Sequence, residues 1–403
     1  MDYLPFLGAL LALLAGLAIG KGWERYKLRD GKWIDRRRAR ESHHYVLGLN
    51  FLVANQIDIA IEELSQAARV DADAVEIHLI LGNIYRERGQ VARAIQIHQA
   101  LLQRPKLTRT EHAYILLCLG LDFKRGGFVD RALEAFNEVL RLDPKNQYAL
   151  LYLQKLHEEQ HQWDDAYRIR QQLVDLSGPD THPRSQAVLA FLENARGLEA
   201  LKGGRVEDAA RRFESAINLD PSTTPAYLNL GDVRLKQGDA AAAIAAWEQL
   251  LEVSPDRAYL AFDRLERALS AGHGAMSFEK RCRALIVANP VDWRARLALG
   301  RHLDQRGETT AAFSLLLEAL AHNPHGLTVH QAIWGVMMRE GLDRVHVQRY
   351  IEAARDAVFF LDPHVCMKCR YRSTELLWQC PHCHEWNTFV EERIAPAQEV
   401  VEI

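Results

Sequence analysis

The stretch HLILGNIYRERGQVARAIQIHQALL, from His78 to Leu102, decides the fold because it contains the unit that the chain repeats. In it Gly82 stands twelve residues before Ala94. The same pair of small residues recurs with a period of about 34 residues, at Gly48 and Ala60, Gly82 and Ala94, Gly120 and Ala132, Gly197 and Ala209, Gly231 and Ala243, and Gly300 and Ala312. The pattern predicts antiparallel helix pairs in which small residues meet where the two helices cross closely.

Further residues mark the ends of these helix pairs and place three more helix pairs in the chain. Prolines that follow four of the alanines by twelve residues are expected to end the second helix, at Pro144, Pro221, Pro255 and Pro324. Ala166 and Pro290 place two degenerate copies, a last helix pair is expected at roughly 328–361, and SGPDTHPRS at 177–185 predicts a longer loop. This pattern is typical of tetratricopeptide repeats, which stack into a superhelix whose groove binds segments of other proteins.

An uncharged apolar stretch opens the chain. Residues 3–20, YLPFLGALLALLAGLAIG, just reach the length that a tilted helix needs to span a bilayer. Only Asp2 precedes the stretch and no cleavage motif follows it, so an uncleaved anchor is predicted rather than a secretory signal. Residues 21–41 contain nine Lys or Arg against four acidic residues, which predicts a cytoplasmic body. This basic run either contacts anionic lipid or serves only as a topology signal.

Four of the six cysteines lie close to the end of the chain, in CMKCRYRSTELLWQCPHCHEW. Cys366 and Cys369 form one CxxC pair, and Cys380 and Cys383 form a second. Two such turns that face each other complete a tetrahedral set of four sulfurs for zinc, and the same ligand set accepts iron. The sequence therefore predicts one Zn or Fe ion bound by these four cysteines.

The segment around these cysteines is too short to fold by burial alone, so the metal is expected to stabilise it. Trp378, Trp386 and Phe389 are the apolar residues expected to form its small core. Because only two residues separate the last predicted helix from Cys366, we expect the segment to dock on the final helix pair. Neighbouring histidines are expected to stay outside the ligand set: His364, His382 and His384.

The rest of the chain offers no catalytic constellation. A formal net charge of -3 over 403 residues gives no global attraction to nucleic acid, and 48% hydrophobic residues exclude a disordered chain. Cys118 and Cys282 stand alone in helical patterns and are expected to be buried thiols in a reducing compartment. The glycine pairs at 125–127 and 202–204 are predicted turns, and the scattered histidines are expected to be solvated or satisfied. No enzyme, catalytic residue or organic cofactor site is predicted.

In its order of segments, the chain resembles the lipopolysaccharide assembly protein B family over nearly its whole length. The resemblance rests on YVLGLNFLVANQIDIAI at 45–61, on the stretch at 78–102 and on the two CxxC pairs. It implies a bacterial inner-membrane adaptor that promotes degradation of the deacetylase LpxC by the membrane protease FtsH. It also implies rubredoxin-like knuckles, although Arg370 and His384 stand where such knuckles usually have a glycine with positive φ.

The expected fold is all-α, a tetratricopeptide-repeat superhelix with an N-terminal transmembrane helix and a small C-terminal rubredoxin-like metal knuckle of four cysteines. Its expected segments are an anchor at 1–20, a basic juxtamembrane segment at 21–42, about eight repeats plus a final helix pair at 43–363, a rubredoxin-like metal-binding domain at 364–390 and a tail at 391–403. A rubredoxin-type iron electron carrier is the alternative function, and no nucleic-acid partner is expected. Homodimer formation and binding of other lipopolysaccharide assembly proteins are left open.

Overall fold

The computed structural model describes residues 42–177, 183–271, 275–340, 344–354 and 364–392. The predicted anchor at 1–20 and nearly all of the basic segment at 21–42 lie outside these residues, as does the tail beyond Glu392. Within the described part of the chain, no helix combines the length and the apolar character that crossing a bilayer requires.

Helices fill most of the described chain, and the predicted all-α repeat array is confirmed. They are α1 (His43–Val53), α2 (Ile57–Val70), α3 (Val75–Glu87), α4 (Val91–Leu102), α5 (Arg109–Arg125), α6 (Val129–Leu142), α7 (Gln147–Glu159), α8 (Trp163–Ser177), α9 (Pro183–Lys202), α10 (Val206–Leu219), α11 (Thr224–Lys236), α12 (Ala240–Val253), a 3-10 helix (Pro255–Ala261), α13 (Phe262–Ala271), α14 (Ala275–Ala288), α15 (Trp293–Gln305), α16 (Thr309–His322), α17 (Leu327–Glu340) and α18 (Arg344–Ala353).

The chain divides into two compact units, of which the first ends at Leu156 and the second begins at His157. In each unit the two helices of a repeat pack against each other, as α5 does with α6 and α9 with α10. Each pair also packs against the next, as α10 does with α11. Stability of such an array is the sum of local terms and nearest-neighbour terms.

The regular spacing of small residues reflects a tighter contact than the sequence predicted. All six repeat alanines are fully buried. The glycines, however, face a large side chain four residues after the alanine: a Cβ on Gly120 would lie 2.5 Å from Phe136, and one on Gly231 would clash with the Trp247 ring. The same relation holds at all six glycines, whose partners are Leu64, His98, Phe136, Phe213, Trp247 and Leu316. The prediction of small residue against small residue was therefore incomplete, because each glycine makes room for a bulky side chain of the second helix.

The predicted ends of the second helices are confirmed. Helices α6, α10, α12 and α16 each end two residues before their proline. The glycine pairs lie in turns, as predicted, with Gly127 at φ 77° and Gly204 at φ 76°. The loop predicted at 177–185 is shorter than expected, because α9 begins at Pro183 and proline is well tolerated in the first turn of a helix.

Three short strands follow the helices: β1 (His364–Cys366), β2 (Arg372–Ser373) and β3 (Phe389–Glu391). They form an antiparallel sheet in the order β2-β1-β3, in which Val365 pairs with Arg372 on one side and with Val390 on the other. Residues 364–392, which hold this sheet and both CxxC pairs, are called the knuckle module below.

Candidate metal centre

Each CxxC pair of the knuckle module folds into a tight turn. The amide of Arg370 donates to the carbonyl of Cys366 at 2.9 Å, and the amide of His384 donates to the carbonyl of Cys380 at 2.9 Å. Arg370 has a φ of 63° and His384 a φ of 55°, so the residues after both pairs take the conformation for which glycine is usual. The turns keep the knuckle geometry at a cost of about 1 kcal/mol per non-glycine residue.

The two turns bring all four sulfurs together. The Sγ atoms of Cys366, Cys369, Cys380 and Cys383 lie within 4.8 Å of one another, with 3.7 Å between Cys366 and Cys383 and 3.5 Å between Cys369 and Cys380. A tetrahedral ion with bonds of about 2.3 Å would hold its sulfurs about 3.8 Å apart. The arrangement therefore fits a four-coordinate metal ion and can bind one.

The protonation of the thiols supports the same conclusion. Burial raises the pKa of Cys366, but hydrogen bonds from the Thr388 hydroxyl and from the amides of Cys369 and Lys368 outweigh it and lower the pKa to about 6. Burial raises the pKa of Cys383 to about 12, and the neighbouring thiols add to the increase. A cluster of this kind keeps some of its protons unless a cation takes their place.

The core of the knuckle module differs from the prediction. Phe389 is buried against Cys366 and Cys380, as expected, and Leu376 and Leu377 pack beside them. Trp378 and Trp386 instead stack on the helical repeats, and for these two residues the prediction was wrong. The module is too small to bury two indole rings around a metal site, so they find apolar partners outside it.

Aromatic rings form the centre of this contact. The ring of Phe191 in α9 stacks on Trp386 with centroids 5.5 Å apart, and the Trp378 ring centroid lies 6.3 Å from that of Phe191. Trp163 at the start of α8 meets Trp386 edge to face at 6.2 Å. Phe191 is only 1% exposed. Such ring pairs contribute about 0.5–1.5 kcal/mol each beyond the burial of their area.

Polar contacts surround the rings. At the end of α7, Glu158 accepts a hydrogen bond of 2.8 Å from the Gln379 amide group, and Glu159 lies 3.3 Å from His384 Nε2. Further along the second unit, two arginines hold the module: Arg257 donates to Asn387 at 2.8 Å and lies over the Trp378 ring, and Arg294 in α15 forms an ion pair with Glu391.

The predicted docking of the knuckle module on the final helix pair was therefore wrong. Among the described residues, the contacts that hold the module are made by α7, α8, α9, the 3-10 helix and α15, which precede that pair. Residues far apart in the chain meet in this interface, which is why the short connection after the last predicted helix was a poor guide. The one available signal was Phe191, a large apolar residue near the middle of α9, the first helix of its repeat.

The other residues singled out from the sequence lie apart from the sulfurs. His382 is exposed, and the atoms of the four-sulfur cluster include no histidine nitrogen. Cys118 and Cys282 are buried, as predicted, and burial raises their pKa to about 11 and about 12, which leaves them unreactive. Among the scattered histidines, which were expected to be solvated or satisfied, His98 is fully buried and its Nδ1 atom lies 2.5 Å from a carboxylate oxygen of Asp122.

Comparisons with known proteins agree with this geometry. The family model described as tetratricopeptide repeat matches residues 45–106, 118–169, 194–258, 228–272 and 279–326, which together make up more than half of the chain. The chain belongs to the tetratricopeptide repeat family. A second family model, described as a rubredoxin metal binding domain, matches residues 364–391 of this tetratricopeptide repeat protein.

Whole-chain relatives confirm the resemblance to the lipopolysaccharide assembly protein B family. The protein of that name from Escherichia coli strain K12 is 26% identical over 384 residues, which cover 94% of this tetratricopeptide repeat protein and 97% of the relative. Its namesake from Haemophilus influenzae is 26% identical over 396 residues, with the same shares. A solved tetratricopeptide repeat protein from Parabacteroides merdae aligns with 79% of this chain and 100% of its own, at 16% identity and a TM-score of 0.36.

Proposed function

We propose that this chain is a membrane-anchored cytoplasmic adaptor that regulates lipopolysaccharide biosynthesis by promoting FtsH-dependent proteolysis of the deacetylase LpxC. The observation that carries the proposal is the way in which the repeats hold the knuckle module. Phe191, Glu158 and Arg294 bind a non-helical protein segment by ring stacking, hydrogen bonding and an ion pair. A repeat surface that offers aromatic, hydrogen-bonding and charged side chains is suited to holding segments of other proteins. An adaptor needs no catalytic group of its own.

The names of the relatives support the lipopolysaccharide part of the proposal. Proteins called lipopolysaccharide assembly protein B match 94% of the chain rather than the repeats alone. Generic repeat proteins would share only the array, so the joint presence of the array and the rubredoxin-type module favours a common role. Binding to other lipopolysaccharide assembly proteins and homodimer formation are compatible with this role.

Cys366, Cys369, Cys380 and Cys383 are proposed to bind one zinc or iron ion. The bound ion supplies cross-linking between the two turns, which replaces the missing apolar core of the module. The colour and the metal content of the purified protein decide between this role and the alternative function of an iron electron carrier. A red protein whose colour bleaches reversibly on reduction supports the carrier, and a colourless protein with one zinc per chain removes it.

The uncharged residues 3–20 and the basic residues after them are proposed to anchor the chain in the inner membrane with its body in the cytoplasm. An anchor confines adaptor, protease and client to one surface, which raises their effective concentration. The proposed segments are the anchor at 1–20, the basic segment at 21–42, the repeats at 43–363, the knuckle domain at 364–390 and the tail at 391–403.

The test uses a bacterial host depleted of its own assembly protein B. After protein synthesis is stopped, the half-life of LpxC is followed by immunoblot in cells that carry the full chain, the chain without residues 1–20, or no chain. The full chain is expected to shorten the half-life, in an FtsH-dependent manner, and the truncated chain to do so less at matched abundance.

An unrelated single-pass anchor in place of residues 1–20 serves as the control and is expected to restore the effect. A half-life of LpxC that is the same with and without the full chain contradicts the proposed client. Equal activity of the anchored and truncated chains contradicts the role of the membrane.

A further inference from the structure

The hydroxyl group of Thr388 lies against one of the four sulfurs of the knuckle module. Its Oγ1 atom is 3.2 Å from Sγ of Cys366, whose side chain is fully buried. The backbone keeps it there, because the Met367 amide donates to the Thr388 carbonyl at 2.9 Å and Phe389 pairs with Cys366 in the sheet. A thiolate that binds a metal has no proton to give, so the hydroxyl is the donor of this hydrogen bond in the loaded module.

The residue before Thr388 is held by the helical repeats. Arg257 of the 3-10 helix donates to Oδ1 of Asn387 at 2.8 Å and lies over the Trp378 ring. The Asn387 amide in turn donates to the Trp378 carbonyl at 2.7 Å, so Arg257 holds both ends of the stretch that carries the second CxxC pair. Asn387 has a φ of 52°, a left-handed conformation that a non-glycine residue keeps only when its surroundings support it.

A second repeat contact lies on the other side of Thr388. Arg294 in α15 forms an ion pair with Glu391 at the end of β3. Thr388 therefore stands between two anchor points of one short segment, 387–391. Movement of this segment away from the repeats would carry the hydroxyl away from the sulfur. Hydrogen bonds from neighbouring groups fix the orientation of metal ligands, and their removal typically costs about 10–100-fold in metal affinity.

We propose that Thr388 is a positioning residue for Cys366, through which the repeats strengthen metal binding by the knuckle module. Arg257 fixes Asn387 and thereby the backbone that follows it. The hydroxyl on that backbone then holds the Cys366 sulfur ready for the ion. Because coupling between two binding equilibria is reciprocal, a bound ion strengthens docking of the module by the same factor by which docking strengthens binding of the ion. The inference rests on the proposed set of four ligands and is independent of the proposed client and of the membrane.

The first experiment measures how tightly the loaded full chain holds its metal, with cobalt(II) as the probe. A chelator is titrated into the cobalt-loaded chain, and the sulfur-to-cobalt charge-transfer absorption reports the ion that remains. Thr388→Val keeps the shape of the side chain but removes the hydroxyl, and it is expected to lower the affinity for cobalt about 10–100-fold. The charge-transfer band is expected to move to longer wavelength, because a sulfur that accepts one hydrogen bond fewer gives up an electron more readily.

Two further variants separate the hydrogen bond from packing. Thr388→Ser restores a hydroxyl at the same position and is expected to hold cobalt nearly as tightly as the unchanged chain, with the band in place. Thr374→Val makes the same chemical change at an exposed threonine of the module and is expected to change neither quantity. Unchanged affinity and band position in Thr388→Val, or equal losses in Thr388→Val and Thr388→Ser, overturn the proposal. An unchanged chain without a sulfur-to-cobalt band contradicts the ligand set itself, and the coupling with it.

The second experiment tests the link to the repeats with a double-mutant cycle. Asn387→Gly removes the acceptor for Arg257 but tolerates the left-handed conformation, so the turn itself should survive. It is expected to lower the affinity for cobalt by part of the loss seen in Thr388→Val, and Thr388→Val should cost less in its presence than alone. Arg267→Ala is the control, because the Arg267 side chain is exposed and donates to a carbonyl of its own helix α13.

The outcome of the cycle decides whether docking and the ion are coupled. Effects of Asn387→Gly and Thr388→Val that simply add overturn the link. The reciprocal effect is followed by hydrogen exchange of peptides that contain Trp386 in the cobalt-loaded chain, while helical dichroism checks that the repeats stay folded. Thr388→Val is expected to speed this exchange and Thr374→Val to leave it unchanged. Equal exchange in these two variants overturns the reciprocal coupling.

Discussion

The same position of the repeat holds a buried ring in the second unit and exposed rings in the first. Phe191 is 1% exposed beneath the indole rings of the knuckle module, whereas Tyr114 and Tyr148 are 50% and 66% exposed. All three are large aromatic residues at the same offset from the glycine position of their repeat. The comparison teaches that the repeat register fixes where a ring stands on its helix but not whether another part of the chain covers it.

The contact in the second unit also links the four-sulfur cluster to the repeats. Trp378 and Trp386 belong to the module by sequence, but their apolar partners Phe191 and Trp163 belong to the helices. The module is therefore expected to depend on two supports, the metal ion proposed between its turns and the aromatic surface beneath it. Loss of the ion should expose Phe191 and Trp163 on the helices, and loss of these two rings should expose Trp378 and Trp386 on the module.

Removal of a sulfur ligand is expected to have the largest effect. Cys380→Ser leaves three soft ligands, so the site loses much of the about 10–16 kcal/mol that structural zinc can supply, and the module unfolds. Hydrogen exchange of peptides from residues 364–392 should become fast, and tryptophan emission should shift to longer wavelength as Trp386 leaves Phe191. Helical dichroism should change little, because the repeats depend on local and nearest-neighbour terms.

The matched comparison is Cys118→Ser, which alters a thiol that lies outside the sulfur cluster. That variant should keep its metal.

Acid should act in the same direction as Cys380→Ser, because raised pKa values at Cys369 and Cys383 mean that protons compete with the ion. A chelator should therefore extract the metal faster at about pH 6 than at about pH 8. A Cys380→Ser protein that still binds one metal ion tightly would contradict the proposed ligand set.

Phe191→Ala and Tyr148→Ala form the most direct pair for the comparison of the two units. Deletion of the buried ring of Phe191 is expected to cost about 3–5 kcal/mol in the free energy of unfolding of the second unit. Deletion of the exposed ring of Tyr148 is expected to cost less than about 0.5 kcal/mol. Denaturant unfolding followed by dichroism measures both. Similar losses for the two variants would show that their equivalent positions do not differ in packing.

Ala132→Leu tests the helix crossing, which both units share. Ala132 is fully buried between α5 and α6, so the added atoms are expected to destabilise the first unit by about 1–3 kcal/mol through overpacking. Ala92→Leu on the exposed side of α4 is the control and should shift the unfolding midpoint very little. If the two variants unfold alike, the alanine does not mark the crossing.

The repeats and the sulfur cluster could be predicted from the sequence because both depend on local spacing. Gly120 and Ala132 lie on neighbouring helices of one repeat, and the two cysteines of each pair lie on one turn. The left-handed conformation of Arg370 and His384 also follows from local geometry. Even there the partner of the glycine was misjudged, since the bulky residue four positions after the alanine is the one that fills the space.

The docking of the knuckle module could not be predicted in this way. Gln379 and Glu158 are 221 residues apart, and their contact has no periodic signature in the sequence. Trp378 and Trp386 look like core residues of a small domain until a larger apolar surface is available to them. The exposure of Tyr114 and Tyr148 could not be predicted either, because a residue pattern does not show which copies of a repeat position are covered by other parts of the chain.

The smallest expected effect concerns the charged rim of the interface and separates it from the aromatic centre. Glu391→Gln removes the charge that pairs with Arg294 but keeps the size of the side chain, whereas Glu392→Gln removes a charge that pairs with Arg370 and Arg372 inside the module. Both groups of the first pair are partly exposed, so its loss should weaken docking by only about 0.2–1 kcal/mol at low salt. At about 1 M salt the Debye length falls to about 3 Å, and the difference should vanish. Hydrogen exchange of residues 376–392 measures docking in both conditions, with Glu392→Gln expected to match the unchanged chain. A large, salt-independent loss in Glu391→Gln would instead mean that the rim holds the module as strongly as Phe191 does, and the parallel between Phe191 and the exposed tyrosines would lose its energetic basis.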